Sequence, residues 1–395
     1  MTSEQKFLLK LISYSQFGFE PDCGKDAANS VPEGIDFNRL FDEAVAQSVV
    51  CVAGSVLPDC VPDDVKMRWK DADNHQLVSY IRYINAQRGL TSLLRENGIP
   101  FAVLKGLAAA IYYHDPSKRA MGDIDFIVPQ DSFEFVKELM IRVGYDLKNK
   151  DQNYKRVTVF SMNGVCFELH HHFDHEDRED IEKYVTEGFS KLREACVDMV
   201  DFSMLDRLGN GIVLLDHMRN HLKSGLGLRQ AIDWMMYVDH ELDDSFWGAE
   251  FEAVVKEVRL EKFAKVATKM CQKYMGLRTN EITWCSDAED NLCEDLMENL
   301  LISGNFGRRN GDGQKIENVT ASFKRDGLFK RLQSAGESNW RLYKEHRWLK
   351  PFCWIYQSCR YARQGIRTKR NGDQLRDDLR RAKNRNKLLK ELEIL

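Results

Sequence analysis

Hydrophobic and polar positions follow two different periods along this chain. Apolar residues recur every three to four positions over 37–56 and 65–96, which predicts helices. Between 101 and 170 the apolar runs are short and bounded by Gly, Pro and Asn, which predicts strands joined by turns. Helical spacing returns over 176–300. The pattern therefore predicts an α+β protein in which helical regions flank a small mixed β-sheet.

Turn-forming residues mark the borders between these parts. Asn97-Gly98-Ile99-Pro100 closes the first helical region, and four glycines between 304 and 316 indicate a loop or linker. We divide the chain into an N-terminal helical region (1–95), an α/β core (96–175), a helical domain that caps the cleft (176–303), and a linker with a basic, aromatic-containing C-terminal helical region (304–395).

The stretch Asp123-Ile124-Asp125 holds two carboxylates in a run that otherwise reads as a buried strand. Side chains two residues apart on a strand point to the same face, so both acids aim at one spot. Two like charges this close repel each other unless a cation lies between them, and carboxylate oxygens suit Mg²⁺. The alternative is a surface strand with two solvated acids.

A short apolar run that ends in Lys105-Gly106 precedes the acids and leads into a predicted helix over 107–113. A strand, a glycine turn and a helix in this order present free backbone N–H groups, and commonly bind a phosphate. The ammonium of Lys105 would add a positive charge.

A third carboxylate follows from a predicted hairpin. Asn163-Gly164 between two β-rich runs is the strongest short-range hairpin signal. In the second arm Cys166, Glu168 and His170 share a face, and a lone Glu in an apolar strand is costly without a partner. We expect Glu168 to join the two acids, with His170 supporting the carboxylates.

Histidines cluster at two further places. His170–His172 and His175 invite zinc, but strand alternation sends neighbours to opposite faces, so the spacing gives no tetrahedral set. His217 and His221 are four residues apart, on one face of a predicted helix over 211–222.

Arg229 and Asp233 repeat the four-residue spacing on the next predicted helix. Arg229 and Asp233 either pair on the helix surface, or these helices cap the active-site cleft with Arg229 or His217 near the substrate.

Three motifs resemble the uncharacterised bacterial nucleotidyltransferase family of the DNA polymerase β-like superfamily. They are Leu104-Lys105-Gly106, the block from Arg119 to Asp125, and Phe167–His170, in the family's order. The resemblance covers residues 96–175 and extends loosely to about residue 245. One departure is Lys-Gly at the turn, where the superfamily usually has Gly-Ser or Gly-Gly.

The resemblance implies that Asp123, Asp125 and Glu168 are catalytic and hold two Mg²⁺ ions. Arg119, if the strand extends back that far, would offset phosphate charge or else pair with Asp115. The residues expected to bind the nucleotide are Lys105, Gly106, Arg119, Gly122, His217 and Arg229.

The expected activity is Mg²⁺-dependent transfer of NMP from an NTP, with ATP as the expected donor, to a hydroxyl or amine acceptor. Two metal ions can stabilise both the attacking and the leaving oxygen of such an in-line displacement. Two alternatives stay open: a non-catalytic nucleotide-binding or scaffolding protein on the same fold, and kinase-like γ-phosphoryl transfer at the same metals. The acceptor, whether a small molecule or a protein, is not specified by the sequence.

Composition adds a cellular context. The chain has 395 residues, a net charge of −4 and no run of apolar residues long enough to span a membrane. The N-terminus lacks signal-peptide features and the cysteines form no Cys-x-x-Cys pair, so we expect a cytoplasmic protein with reduced thiols.

Charge is unevenly distributed at the C-terminal end. Eleven Lys and Arg residues stand against three Asp between Arg363 and Lys390, and aromatic residues precede them. This tail would contact nucleic acid or an anionic membrane, or would form an ordinary solvated helix packed on the domain. We favour the packed helix.

Overall fold

The structure is a computed structural model that describes residues 1–18, 31–148, 157–170, 179–223, 225–305, 328–367 and 372–394. The strands are β1 (Ala102–Leu104), β2 (Ile124–Ile127), β3 (Asp146–Leu147), β4 (Val157–Met162), β5 (Val165–His170), β6 (Arg193–Val197) and β7 (Val200–Met204). The helices are α1 (Ser3–Phe17), α2 (Phe37–Gln47), α3 (Val50–Gly54), α4 (Asp63–Glu96), α5 (Gly106–Ala110), α6 (Phe133–Arg142), α7 (Glu179–Gly188), α8 (Arg207–Leu222), α9 (Leu228–Glu241), α10 (Asp244–Phe246), α11 (Glu252–Glu257), α12 (Glu261–Met275), α13 (Asp290–Ser303), α14 (Leu328–Asn339), α15 (Arg341–Glu345), α16 (Cys353–Arg367) and α17 (Gly372–Glu391). Short turns of 3₁₀-helix cover Pro116–Lys118, Gln130–Ser132, Phe189–Lys191 and Arg347–Phe352, and a π-helical turn covers Trp247–Phe251.

The strands form one mixed seven-stranded sheet in the order β3-β4-β5-β2-β1-β7-β6. β2 runs parallel to β5 and β1 runs parallel to β7, whereas the other neighbours are antiparallel. The α+β class predicted from the hydrophobic pattern is confirmed.

The predicted hairpin is present as β4 and β5, which pair antiparallel from Val157↔His170 to Met162↔Val165. Asn163 and Gly164 both have positive φ, 52° and 77°. Two such residues make a two-residue turn whose twist matches that of the flanking strands. The turn thereby fixes the register that directs Glu168 and His170 to one face.

The first predicted helix, over 37–56, is interrupted. α2 ends where Ser48 adopts a left-handed conformation with φ 57°, and α3 begins at Val50. By contrast, the second predicted helix over 65–96 is a single helix, α4, which begins two residues earlier at Asp63.

Apolar side chains from both faces of the central strands are buried in two clusters. Ala102 and Leu104 of β1 pack in a cluster with α8 and α9, while Val103 between them packs with α4 and α6. The first cluster also contains α1 and α12, so the N-terminal helices and the helices after residue 207 share one core. The middle of the sheet is therefore covered on both faces, and polar side chains there are removed from solvent.

The basic tail contains α17, which packs on α13. Leu388 and Leu389 of this helix and Leu392 just after it are buried in the first cluster. Arg380, Lys383, Lys387 and Lys390 remain exposed on α17. This is the packed, solvated helix that we favoured from the sequence. Among the described residues, none of the helices combines the length and the apolar character needed to cross a membrane.

Candidate active site

The sheet register brings the predicted acids together. Asp125 of β2 is paired with Glu168 of the parallel neighbour β5. Paired residues on adjacent strands project their side chains to the same face. Ligand atoms of Asp125, Glu168 and His170 all lie within 4.8 Å of one another, so the described residues contain a cluster able to hold a metal ion.

Asp125 lies at the centre of this cluster and is only 3% exposed. Its Oδ1 accepts a bond from Lys105 Nζ at 2.8 Å and lies 2.9 Å from His170 Nε2. Burial alone would raise the pKa of Asp125, but the Lys105 ammonium and His170 hold it well below its usual range. Asp125 is therefore the ionised carboxylate around which the other groups are arranged.

Glu168 and Asp123 carry the charge that these partners do not neutralise. Burial, followed by the charges of Asp125 and Asp123, raises the pKa of Glu168 to about 7. Burial and the charge of Asp125 likewise raise the pKa of Asp123. Asp123 lies just before the first residue of β2 and is not part of the cluster formed by Asp125, Glu168 and His170. Three carboxylates beside one lysine leave excess negative charge, so the donor set fits a divalent cation.

The predicted phosphate turn has an unusual backbone. Lys105 follows β1 with φ 52° and ψ −137°, and Gly106 begins α5 with φ 40°. A non-glycine residue in such a conformation costs free energy, and functional sites are where such strain concentrates. α5 has only five residues, so its dipole adds little, and the expected phosphate contact depends on the Lys105 ammonium.

Arg119 does not pair with Asp115, whose carboxylate instead accepts bonds from Ser117. It forms a two-bond ion pair with Asp233 of α9, with both N···O distances 2.7 Å and both side chains 3% exposed. Tyr113 donates a third bond to the same carboxylate at 2.7 Å. Pairing of Asp233 with Arg229 on the helix surface is thus wrong, because tertiary packing buries Asp233 and supplies a different arginine.

Arg229 contacts the loop that carries Arg119. Its Nη1 donates to the carbonyl of Ala120 at 3.0 Å. Burial and the nearby Arg119 charge lower the pKa of Arg229, and the carboxylates of Asp233 and, to a smaller extent, Asp123 oppose that effect. α9 thereby contacts the loop before the acids at two points, through Arg229 to the Ala120 carbonyl and through Asp233 to the Arg119 side chain. Gly122, which is exposed, lies between that loop and Asp123.

The predicted histidine pair is present on α8. The Nε2 atoms of His217 and His221 are 2.9 Å apart, so one ring donates to the other. Burial, then Arg229 and Lys105, lower the pKa of His221 to about 4, and burial and Lys105 lower that of His217 well below its usual value. Both rings are therefore neutral near pH 7 and feel the charges of the acidic cluster.

Sequence reasoning did not identify Tyr83. This residue of α4 is 7% exposed, and its hydroxyl has no hydrogen-bond partner among the described residues. Burial raises its pKa, and Asp123 and Asp125 raise it further. The helical spacing of Tyr83 with buried Tyr80 and Ile84 reads as ordinary core, so only the tertiary structure brings the hydroxyl to the acids.

The residues expected to bind nucleotide thus lie around the acids, on the turn between β1 and α5, the loop before β2, and helices α8 and α9. His171, His172 and His175, considered above as zinc ligands, lie outside the described residues. His170 contacts Asp125 directly and is part of the acidic cluster.

Fold and site together define an α+β protein that buries a carboxylate cluster suited to a divalent cation. The sequence model of an uncharacterised nucleotidyltransferase family matches residues 34–276, more than half of the chain, and the protein therefore belongs to that family. The match confirms the resemblance and extends it from the sheet to α2–α4 on one side and to α12 on the other. No curated protein matches the chain.

Proposed function

We propose that the protein is a Mg²⁺-dependent nucleotidyltransferase that moves NMP from an NTP to a hydroxyl or amine acceptor. The observation that carries the proposal is the alignment of Asp125 and Glu168 on parallel neighbouring strands, beside the Lys105 ammonium. Membership of a nucleotidyltransferase family supports the same reaction class. ATP is the expected donor.

Asp123, Asp125 and Glu168 would hold two Mg²⁺ ions, with His170 keeping Asp125 in place through its 2.9 Å contact. When bound, the ions would offset the phosphate charge and acidify the attacking hydroxyl. Their arrival would take over the role that Lys105 has as the counter-charge of Asp125. The ammonium, with 18% of its side chain exposed, would then be available to a phosphate oxygen.

Other residues of the site have separate tasks in this proposal. Glu168, which is 30% exposed at its side chain, is the carboxylate best placed to accept the proton of the attacking group. Arg229 and His217 bind or orient the nucleotide from the helical side of the cleft. Arg119 acts through Asp233, because its guanidinium is already engaged in the buried ion pair; it holds the loop that leads to the acids.

The deciding experiment is incubation of the full chain with each of the four NTPs, labelled at the α- or the γ-phosphate, with Mg²⁺ and a fractionated lysate as the source of acceptor. Transfer of the α-label supports the proposal. Transfer of the γ-label would establish kinase-like chemistry instead. Nucleotide binding without transfer of either label would favour the non-catalytic alternative.

Glu168→Gln provides the matching variant. It should lower the rate of transfer while nucleotide binding persists, since the triphosphate brings its own Mg²⁺ and meets Lys105. The control is Glu194→Gln on edge strand β6, whose side chain is 64% exposed and bonds Arg95 far from the acids. Loss of nucleotide affinity with unchanged turnover in Glu168→Gln would contradict these roles.

A further inference from the structure

The segment 328–367 folds as a helical hairpin whose helices pack mainly on each other. α14 and α16 are its arms, and α15 with the 3₁₀ turn Arg347–Phe352 forms its connection. The arms approach so closely at Gly336 that a Cβ there would lie 2.0 Å from the carbonyl oxygen of Cys353. Only glycine permits this contact.

Few side chains are buried in this hairpin. Leu332, Tyr343 and Cys353 are 9%, 6% and 0% exposed. Gln357 is 1% exposed and accepts a bond from Asn339 Nδ2 at 3.4 Å, while Gln333 donates to the carbonyl of Lys350 at 2.7 Å. Among the described side chains of the segment, only two large apolar ones, Leu332 and Tyr343, are therefore buried, whereas a water-soluble hairpin ordinarily buries most of them.

Large apolar side chains lie on the outside instead. The exposed ones in this segment are Phe329 (63%), Leu342 (52%), Trp348 (71%), Phe352 (48%), Trp354 (36%) and Ile355 (42%). Trp348 and Phe352 lie in the connection, and Phe329 contacts Trp354 with ring centroids 5.9 Å apart. Exposed apolar groups in this number mark a surface that another body covers.

Cations lie close to these side chains along the chain. The segment contains nine Lys and Arg against two Glu. Arg341 is 92% exposed and Lys350 63% exposed, and the Arg347 guanidinium lies 5.2 Å from the ring centroid of Tyr343. A binding partner that covers the aromatic side chains should therefore have a negatively charged surface and an apolar layer just below it.

We propose that the hairpin 328–367 docks the protein on an anionic lipid bilayer. Tryptophan and phenylalanine enter the headgroup boundary while the neighbouring cations meet the lipid phosphates, and the combination of both gives stable peripheral binding where either alone is weak. Docking of this kind needs no spanning helix. The cations of α17 are exposed, but none of its described side chains is a large exposed apolar group, so that helix offers charge without the aromatic groups of the hairpin. The proposal is independent of the catalytic function proposed above.

The first test measures flotation of the full chain with phosphatidylcholine vesicles that contain or lack phosphatidylglycerol. We expect binding only with the anionic lipid. The double variant Trp348→Ser/Phe352→Ser should weaken it by about tenfold or more, since it removes buried apolar area from the bound state. Leu77→Ser/Val78→Ser on α4, where the side chains are 47% and 58% exposed, is the matched control and should bind as the wild type does.

The second test separates the hairpin from the tail. Arg341→Glu/Lys350→Glu should reduce vesicle binding by about tenfold or more, because each cation near an anionic surface contributes to the attraction. Lys383→Glu/Lys387→Glu, which reverses two exposed cations on α17, should have little effect. The reverse ranking would assign the contact to the tail and overturn the proposal.

Two other outcomes would also overturn it. Salt-sensitive binding to single-stranded RNA that the aromatic double variant loses, with no binding to vesicles, would make the hairpin a nucleic-acid surface. A dimer in size-exclusion chromatography that dissociates in the same variant, again without vesicle binding, would show that a second copy of the chain covers the hairpin.

Discussion

The centre of the sheet and the C-terminal hairpin depart from the usual distribution of side chains in opposite directions. Around β2 the protein buries charged groups: Asp125 and Arg119 are each 3% exposed. In the hairpin it exposes aromatic groups, with Trp348 at 71% and Phe329 at 63%. Each departure costs free energy in the isolated protein.

The buried charges and the exposed aromatic side chains differ in the contacts that offset their free-energy cost. At the sheet, ion pairs inside the protein satisfy Asp125 and Arg119, and only part of the negative charge, at Glu168 and Asp123, is left for a ligand. In the hairpin the exposed rings of Phe329 and Trp354 contact each other, the Arg347 guanidinium lies over the buried ring of Tyr343, and nothing in the described chain covers the exposed rings. A site for a small ion can thus be largely assembled in advance, whereas a docking surface stays open until its partner arrives.

The largest effect should come from the acids themselves. Asp123→Asn and Asp125→Asn should each reduce nucleotidyl transfer by at least about a hundredfold, because a missing metal ligand removes charge stabilisation in the transition state. Activity with α-labelled NTP measures this. Glu194→Gln again serves as the control, and wild-type turnover in either variant would disprove the metal-site assignment.

The same two variants should differ in stability. Asp123→Asn relieves repulsion with Asp125, so its free energy of unfolding should hold or rise. Asp125→Asn leaves Lys105 buried without its carboxylate and should cost about 3 kcal/mol. Urea denaturation without Mg²⁺ measures both, and equal stabilities would show that the Lys105 pair contributes nothing.

Another test concerns the buried ion pair between Arg119 and Asp233. Arg119→Met should destabilise the protein by about 3–5 kcal/mol, because Asp233 then stays buried without its partner. Arg119→Met/Asp233→Leu should recover much of that loss. Arg95→Met, which removes a partly exposed pair with Glu194, should cost no more than about 1 kcal/mol. Additive losses in the double variant would mean that the two residues do not act as a pair.

The histidines allow a test by pH. In the folded protein the pKa of His221 is lowered to about 4, whereas in the unfolded chain it returns to its ordinary value of 6.5. Between these values the unfolded chain binds more protons, so stability is lost as the pH falls from about 6.5 to about 4. His221→Gln should reduce this dependence in urea denaturation, and part of it should remain because the pKa of His217 is also lowered. Exposed His75→Gln is the control. An unchanged slope in His221→Gln would indicate that the ring is not buried in its neutral form.

The smallest effect is expected in the hairpin. Trp348→Ala should change the free energy of unfolding by less than about 0.5 kcal/mol, since the side chain is already in water. Trp234→Ala, at a tryptophan that is fully buried in the core, should cost about 3–5 kcal/mol. A large loss for Trp348→Ala would mean that the exposed aromatic groups stabilise the fold and are not held open for a partner.

Local patterns in the sequence were sufficient for part of this site. Alternation along β2 and β5, with the Asn163-Gly164 turn, directed Asp125, Glu168 and His170 to one face, because the period of a strand depends on no distant residue. The order of the three motifs likewise led to the nucleotidyltransferase family.

The tertiary structure decided which side chains from distant parts of the sequence contact each other. Arg119 pairs with Asp233, and Tyr83 lies close enough to Asp123 and Asp125 for their charges to raise its pKa, because α9 and α4 pack on opposite sides of the same strands. In the hairpin, packing of α14 on α16 leaves Gln357 1% exposed, while Trp348 in the connection is 71% exposed. Sequence periodicity specifies which residues share a face, but the partner of each face depends on packing between segments far apart in the chain, and no local pattern encodes that.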